Sequence, residues 1–254
     1  MGNIGIQLYS IREEMAKDLL GMIDKVAEMG YSGAQFAGFF DHSAEDVKAR
    51  MDQAGIKPAG AHVQIDQLRN QFDETLKYHE TIGNKSIIVP FLPEDMRTTE
   101  DDFKRTAELF DEIGKKANVA GFSIGYHNHD FEFKTFNGKT GLDILFENTD
   151  PNHLKMELDC FWAAYSDHDP VEIIEKYGER VVSLHIKDLK LEDDKPVSTE
   201  LGTGTLDLEA YMQAGNKNNA KWFIVEQEQF TKDPLVSAAE NAKAIKKIYD
   251  QLSR

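Results

Sequence analysis

Cysteine, basic charge and long apolar runs are what this sequence has little of. One cysteine in 254 residues, Cys160, leaves no partner for an internal disulfide and fits a reducing compartment. No stretch approaches the ~20 consecutive apolar residues that a membrane-spanning helix needs, so no membrane segment is expected. Lys and Arg number 29 against 45 Asp and Glu, a net charge of −16, and the basic residues are dispersed. Phosphate-backbone binding depends on clustered Lys and Arg, so nucleic acid is not expected as a partner. The acidity reads as solvated helix faces that keep the protein soluble. The opening residues, Met1-Gly2-Asn3-Ile4, run into a strand pattern without a basic segment or apolar signal core. A cytoplasmic protein is the expectation.

Linkers rich in Pro, Gly or Ser are also missing, and one domain over residues 1–254 is expected. Two periodicities alternate along the whole chain instead. Strand-like runs cover Asn3–Tyr9, Gly33–Ala37, Lys57–Val63, Lys85–Pro90, Phe122–His127, Leu154–Asp159, Val181–Ile186 and Trp222–Glu226. Between them, apolar residues recur at helical spacing, as in Leu19, Leu20, Ile23, Val26 and Ala27, or Phe103, Ala107, Phe110, Ile113 and Ala117. A continuously apolar strand such as Ser86-Ile87-Ile88-Val89 suits burial on both faces, as in a parallel sheet. Gly30, Gly55 and Gly83 each follow a helical stripe and precede a strand, where glycine closes a helix in the left-handed conformation. Eight strand–helix units predict an α/β fold, the (β/α)8 TIM barrel. The weakest unit is the fifth, where Gly141–Asn148 gives only a short helix.

Imidazole and carboxylate groups gather at the C-terminal ends of the later strands, the face on which such barrels do their chemistry. Together these groups are a ligand set for a divalent metal. Asp159 ends the sixth strand, with Glu157 two positions earlier on the same face; either could be the ligand, and the terminal residue is better placed. His185 ends the seventh strand, with Lys187 on its face and Asp188 on the other. Glu226 ends the eighth, followed by Glu228. The fifth strand offers His127 and His129 on one face, so that one can bind metal while the other carries a proton near its ordinary pKa of ~6.5. Glu132 lies beyond, where the chain turns. A lone strand-end histidine is more often a hydrogen-bonded core residue than a ligand, but several adjoining strands each offering a donor shift that balance.

The earlier strand ends carry Gln7, Tyr9, Gln35 and His62, polar groups that could orient sugar hydroxyls or be satisfied by backbone. Phe161-Trp162 and Phe39-Phe40 supply aromatic surface for the C–H face of a sugar or for the core. The glycine-rich Leu201–Asp207 loop lacks the lysine of a nucleotide loop and reads as a turn with Asp207 capping the seventh helix.

Taken together, Gln7-Leu8-Tyr9-Ser10-Ile11-Arg12, Gly125-Tyr126-His127-Asn128-His129, Leu158-Asp159-Cys160-Phe161-Trp162, His185-Ile186-Lys187-Asp188, Gly202-Thr203-Gly204 and Val225-Glu226-Gln227 resemble the xylose isomerase-like TIM-barrel superfamily, specifically its sugar phosphate isomerase/epimerase branch. The resemblance spans the chain. It implies one divalent ion (Mn²⁺, Co²⁺, Zn²⁺ or Mg²⁺) on strands five to eight, with Asp159, His185 and Glu226 matching the last three ligands. His127 falls at the first, where the epimerases carry glutamate. His129 falls where related dehydratases carry a histidine base, which makes it the leading base, with Glu226 the alternative. Lys187 could contact substrate oxygen or act as an acid, and Gln7, Tyr9, His62, Glu132 and Trp162 are the expected substrate contacts. Whether His127, His129 or Glu132 is the fifth-strand ligand stays open.

The reading that follows is a metal-dependent isomerase or epimerase acting on a keto-sugar through an enediolate. The alternative is a dehydratase or lyase on an inosose or 3-keto-sugar. An apurinic-site endonuclease and a non-catalytic sugar-binding barrel share the fold; the acidic, ligand-poor sequence speaks against the first and the ligand set against the second. The expected partner is a small unphosphorylated carbohydrate, and assembly into a homo-oligomer is compatible with the sequence.

Overall fold

Each of the eight apolar runs becomes a strand, and the strands pair in parallel around a closed barrel. In the computed structural model, which describes residues 2–193 and 195–252, they are β1 (Asn3–Gln7), β2 (Gly33–Phe36), β3 (Lys57–His62), β4 (Ser86–Val89), β5 (Ser123–His127), β6 (Leu154–Asp159), β7 (Val181–Ile186) and β8 (Trp222–Val225). Met1, Asp194, Ser253 and Arg254 lie outside the described residues, and there the expectation over 1–254 has no structural counterpart. β1 pairs with both β2 and β8, which closes the ring.

Helices α1 (Leu19–Met29), α2 (Ala44–Ala54), α3 (Phe72–Thr81), α4 (Glu100–Val119), α5 (Gly141–Glu147), α6 (Pro170–Tyr177), α7 (Leu208–Lys217) and α8 (Pro234–Leu252) follow the strands in order. They bury the apolar stripes that the spacing marked: Leu19, Ile23 and Val26 on α1, and Phe103, Ala107, Phe110, Ile113 and Ala117 on α4. Gly30 and Gly55 close α1 and α2 at φ 98° and 72°, a conformation that costs a side-chain-bearing residue. Among the described residues, no helix is long and apolar enough to cross a membrane.

The strand ends differ from expectation where side chains take over the backbone's hydrogen bonds. β1 stops at Gln7 rather than Tyr9, because the Gln7 amide oxygen accepts the Tyr9 N–H and turns Leu8–Ile11 into a 3₁₀ helix. An antiparallel hairpin, Asp188–Glu192 with Lys195–Thr199, rises from the end of β7 and has no counterpart in the sequence reading. The floor of the barrel is sealed by Trp222, whose ring would lie 2.4 Å from a Cβ at Gly33.

Two stability predictions follow from packing. On α4, a Cβ at Gly114 would fall 1.9 Å from the His153 carbonyl oxygen. Gly114→Ala is therefore expected to cost about 1–3 kcal/mol, read by urea denaturation. Buried His79 is held neutral, with burial pushing its pKa down to about 4, whereas an unfolded histidine titrates near ~6.5. The unfolded chain thus takes up the proton first, and stability falls as pH drops from about 6.5 to 4. Between pH 7 and 5 the wild type should lose about 2 kcal/mol more than His79→Leu, measured by denaturation at each pH.

Candidate active site

The barrel interior is polar toward its C-terminal end, and a single carboxylate organises it. Glu157 points inward from β6 and is fully buried. Its Oε2 accepts from Gln35 Nε2 at 2.6 Å and from Ser183 Oγ at 2.7 Å. Its Oε1 faces three imidazoles: His62 Nε2 at 2.7 Å, His185 Nε2 at 3.0 Å and His127 Nδ1 at 3.3 Å. Burial alone would raise the Glu157 pKa, but the His185 charge and the imidazole hydrogen bonds hold it well below the usual range. His185 lies between Glu157 and Glu226, whose Oε2 is 3.0 Å from Nδ1. Burial works against its charge, yet the two carboxylates push its pKa up to about 10. His127, also beside Glu157, is pushed down to about 4 by burial and by the His185 charge.

One turn nearer the mouth stands Asp159, whose backbone is clamped to β5 by Asn128. The Asn128 Oδ1 accepts the Asp159 N–H at 2.9 Å, and its Nδ2 donates to the Asp159 carbonyl at 3.3 Å. Asp159 Oδ1 caps the short helix Cys160–Tyr165, accepting the N–H groups of Phe161 (2.8 Å) and Trp162 (3.2 Å). That division of duties fixes the carboxylate and leaves Oδ2 buried without a hydrogen bond. Lys187 Nζ is 3.2 Å from this oxygen, an ion-pair distance without hydrogen-bond alignment, and His127 Nε2 is 3.7 Å away. Lys187 also meets Glu226 Oε2 at 3.1 Å and Glu228 Oε1 at 2.5 Å. Although burial opposes its charge, these three carboxylates raise the lysine pKa well above its ordinary value.

His127, Asp159, His185 and Glu226 each offer a donor atom, all within 4.8 Å of one another, and could hold a metal ion; His62, His127, Glu157 and His185 form an overlapping group. The first set includes the buried, unbonded Asp159 oxygen and mixes imidazole with carboxylate, a donor chemistry that suits divalent cations. In the second, Glu157 already has all its partners.

Above these groups opens a cavity of about 290 Å³ lined by Tyr9, His62, His127, His129, Glu226 and Glu228, with Phe91 on the far wall. His129 stacks on Phe131 at an interplanar angle of 6° and meets Phe91 edge-on. Burial, and then the neighbouring His127, pushes its pKa down to about 3. Among the described residues, the buried side-chain atoms without a partner are His129 Nδ1, Asp159 Oδ2 and Trp162 Nε1. Trp162 lies 6.0 Å from the His129 ring, centroid to centroid. Buried polar atoms are ordinarily satisfied, so three orphans gathered here mark where a ligand's polar groups belong.

Of the expected substrate contacts, Tyr9 and His62 line the cavity, Trp162 stands near His129 without lining it, and two lie elsewhere. Gln7 is fully buried beneath the mouth, where its Nε2 donates to Gln35 Oε1 at 2.7 Å. Glu132 is also fully buried, with one oxygen on the Tyr126 hydroxyl and the other accepting the His129 N–H at 2.8 Å. Its pKa is pushed up to about 8 by burial. Glu132 thus shapes the turn that carries His129, because the chain folds into a 3₁₀ helix at Phe131–Phe133 and carries the carboxylate under the loop. Gln35, Ser183 and Asn128 are partners that the sequence does not single out for these contacts; Gln35 is itself a polar strand-end residue and Ser183 lies one strand repeat below His185, the signals that could have found them. The glycine-rich loop is also more tightly held than a turn with a cap. Asp207 does cap α7, and Asp188 accepts the N–H groups of Gly202 and Gly204 at 2.8 and 2.9 Å.

A family model described as Xylose isomerase-like TIM barrel matches residues 23–248. An inosose dehydratase of Geobacillus kaustophilus is 25% identical over 273 residues, spanning 91% of this chain and 86% of that protein. A second inosose dehydratase, from Clostridium perfringens, is 22% identical and spans 88% of each. A crystal structure of a sugar phosphate isomerase/epimerase from Parabacteroides distasonis is 26% identical with a TM-score of 0.79, covering 96% of this chain and 93% of that one.

Glu157→Gln keeps the shape but leaves His185 facing a neutral amide. Breaking a buried ion pair this way should cost on the order of 3 kcal/mol and lower the His185 pKa, read by denaturation and by imidazole NMR titration of metal-free protein.

Proposed function

Because the chain belongs to the xylose isomerase-like TIM barrel family, we propose that it is a metal-dependent lyase removing water from a cyclic polyhydroxy ketone (an inosose) or a 3-keto-sugar. The observation that carries this reading is the asymmetry of the mouth. One imidazole, His129, lines the cleft with a free ring nitrogen. The strand-eight carboxylate Glu226 is committed to His185 and Lys187. Epimerisation through two bases on opposite substrate faces needs two uncommitted groups, whereas elimination can run with one. The resemblance to inosose dehydratases over most of the chain supports the same choice.

His127, Asp159, His185 and Glu226 would hold the divalent ion, which when bound supplies a Lewis acid for the substrate ketone. His129 is neutral near pH 7 and accepts the proton α to that ketone. The C–H electron pair becomes the new C=C bond as the β-hydroxyl departs, and the protonated imidazole gives its proton to that hydroxyl, so that water leaves. Lys187, held beside the cleft by Glu228, serves as a positive charge for substrate oxygen. Tyr9, His62 and Trp162 contact substrate hydroxyls and ring faces. We take the chain to act as one domain, in the cytoplasm, on a small carbohydrate.

A second reading, isomerisation or epimerisation of a keto-sugar, is favoured by the likeness to the Parabacteroides isomerase/epimerase. The test is to incubate Mn²⁺- or Co²⁺-loaded protein with inososes and 3-keto-glucosides in deuterated water. Loss of water from the substrate is expected, and His129→Ala should lower kcat by about 10²–10⁴-fold with metal content unchanged. Deuterium uptake without water loss would select the second reading. About one divalent ion per chain, lost in Asp159→Asn and His185→Ala, is the expected result of elemental analysis; protein that takes up no metal would overturn the mechanism.

A further inference from the structure

Lys187 stands where a cation is wanted. Its ammonium is 3.2 Å from Asp159 Oδ2 and 3.1 Å from Glu226 Oε2. Those two residues belong to the four-residue set that could hold a metal. A side-chain cation and a divalent ion therefore draw on the same two carboxylates, and like charges this close repel strongly away from water. The lysine is 1% exposed, so water does little to screen that repulsion.

One further carboxylate is within its reach. Glu228 Oε1 already lies 2.5 Å from the ammonium, and its side chain is 29% exposed at the cleft, in contrast to the fully buried Asp159. It follows Glu226 by two residues and lines the same wall of the cavity. Glu228 has no other side-chain ion pair among the described residues, whereas Glu226 is shared with His185. Three carboxylates around one ammonium thus differ in kind: two belong to the metal-binding set, and one is free to keep the lysine when that set is taken.

We propose that Lys187 is a built-in competitor for the metal site and that Glu228 is the positioning residue that receives it. In the metal-free protein the ammonium neutralises Asp159 and Glu226 and keeps the mouth folded. When a divalent ion is bound, the ammonium rests on Glu228 alone, beside the cleft, where it can meet substrate oxygen. Metal affinity is then set below what the four ligands would give by themselves. This rests on the metal-dependent reading above and adds to it a regulation of the same site by the chain's own residues.

The test is calorimetric titration of metal-free protein with Mn²⁺ and with Zn²⁺, alongside thermal unfolding with and without metal. Lys187→Met removes the competitor in a side chain of similar length and should tighten metal binding at least tenfold. Its melting temperature should fall below wild type without metal and recover at saturating Mn²⁺. Glu228→Gln, at the partly exposed position, should fold normally and weaken metal binding several-fold, because the ammonium loses its alternative place. Unchanged or weaker binding in Lys187→Met, or unchanged or tighter binding in Glu228→Gln, would overturn the proposal. Should Lys187→Met not fold, the Glu228→Gln result decides. Uptake by neither would overturn the metal reading itself, and this inference with it, whereas equal uptake by both removes only the inference.

Discussion

A carboxylate in the middle of a barrel is the constraint around which this molecule is built. Glu157 has no access to water, and an isolated buried charge of that kind would cost far more than a small protein's whole stability. The chain meets this with five polar neighbours from four other strands: Gln35, His62, His127, Ser183 and His185. Three of those neighbours are imidazoles, so satisfying Glu157 also fixes the orientation of rings whose other nitrogens look toward the mouth. His127 and His185 each use one nitrogen below and one above. The geometry at the mouth is inherited from the solution to a problem deeper in the barrel.

Nearer the surface the rule is reversed, and polar atoms are left wanting. Asp159 gives one oxygen to a helix cap and withholds the other; His129 is held by stacking and by its backbone N–H on Glu132, with its ring nitrogen free. The contrast between a satisfied lower layer and an unsatisfied upper one is the physical signature of preorganisation. Leaving such atoms unpaired gives up stability, and the layer beneath them holds the side chains that carry them in place.

The fold was legible because its strands are buried on both faces, so that runs such as Ser86-Ile87-Ile88-Val89 carry no ambiguity of face. β6 and β7 have the bounds their sequence suggests, and the remaining strands differ only at their ends, where features such as the Gln7 cap act. Strand-end residues were legible for a related reason: alternation fixes which side chains point inward, and Asp159, His185, Glu226 and His127 do meet. Glu132 was not, since a carboxylate past a strand end can turn either way, and only the 3₁₀ turn sends it under the loop. Nor was Gln7, because a polar side chain at the end of β1 looks the same whether it serves a ligand or another buried amide. The hairpin from Asp188 is not legible because its apolar alternation amounts to Leu189 and Leu191 on one strand and Val197 on the other, too short to mark a strand pair.

Lys187 and Asp188 are chain neighbours that face opposite ways. The first has its ammonium among the carboxylates of the mouth, and the second gathers the backbone amides of Gly202 and Gly204 outside the barrel. One planar peptide unit joins them, so the same short piece of chain is fastened on both sides of the barrel wall. The ion pairs inside and the loop amides outside, more than a dozen residues further along the chain, thus hold the end of β7 from both faces. The glycine-rich loop serves a cavity that it does not line, as the outer fastening of the strand end that carries the lysine.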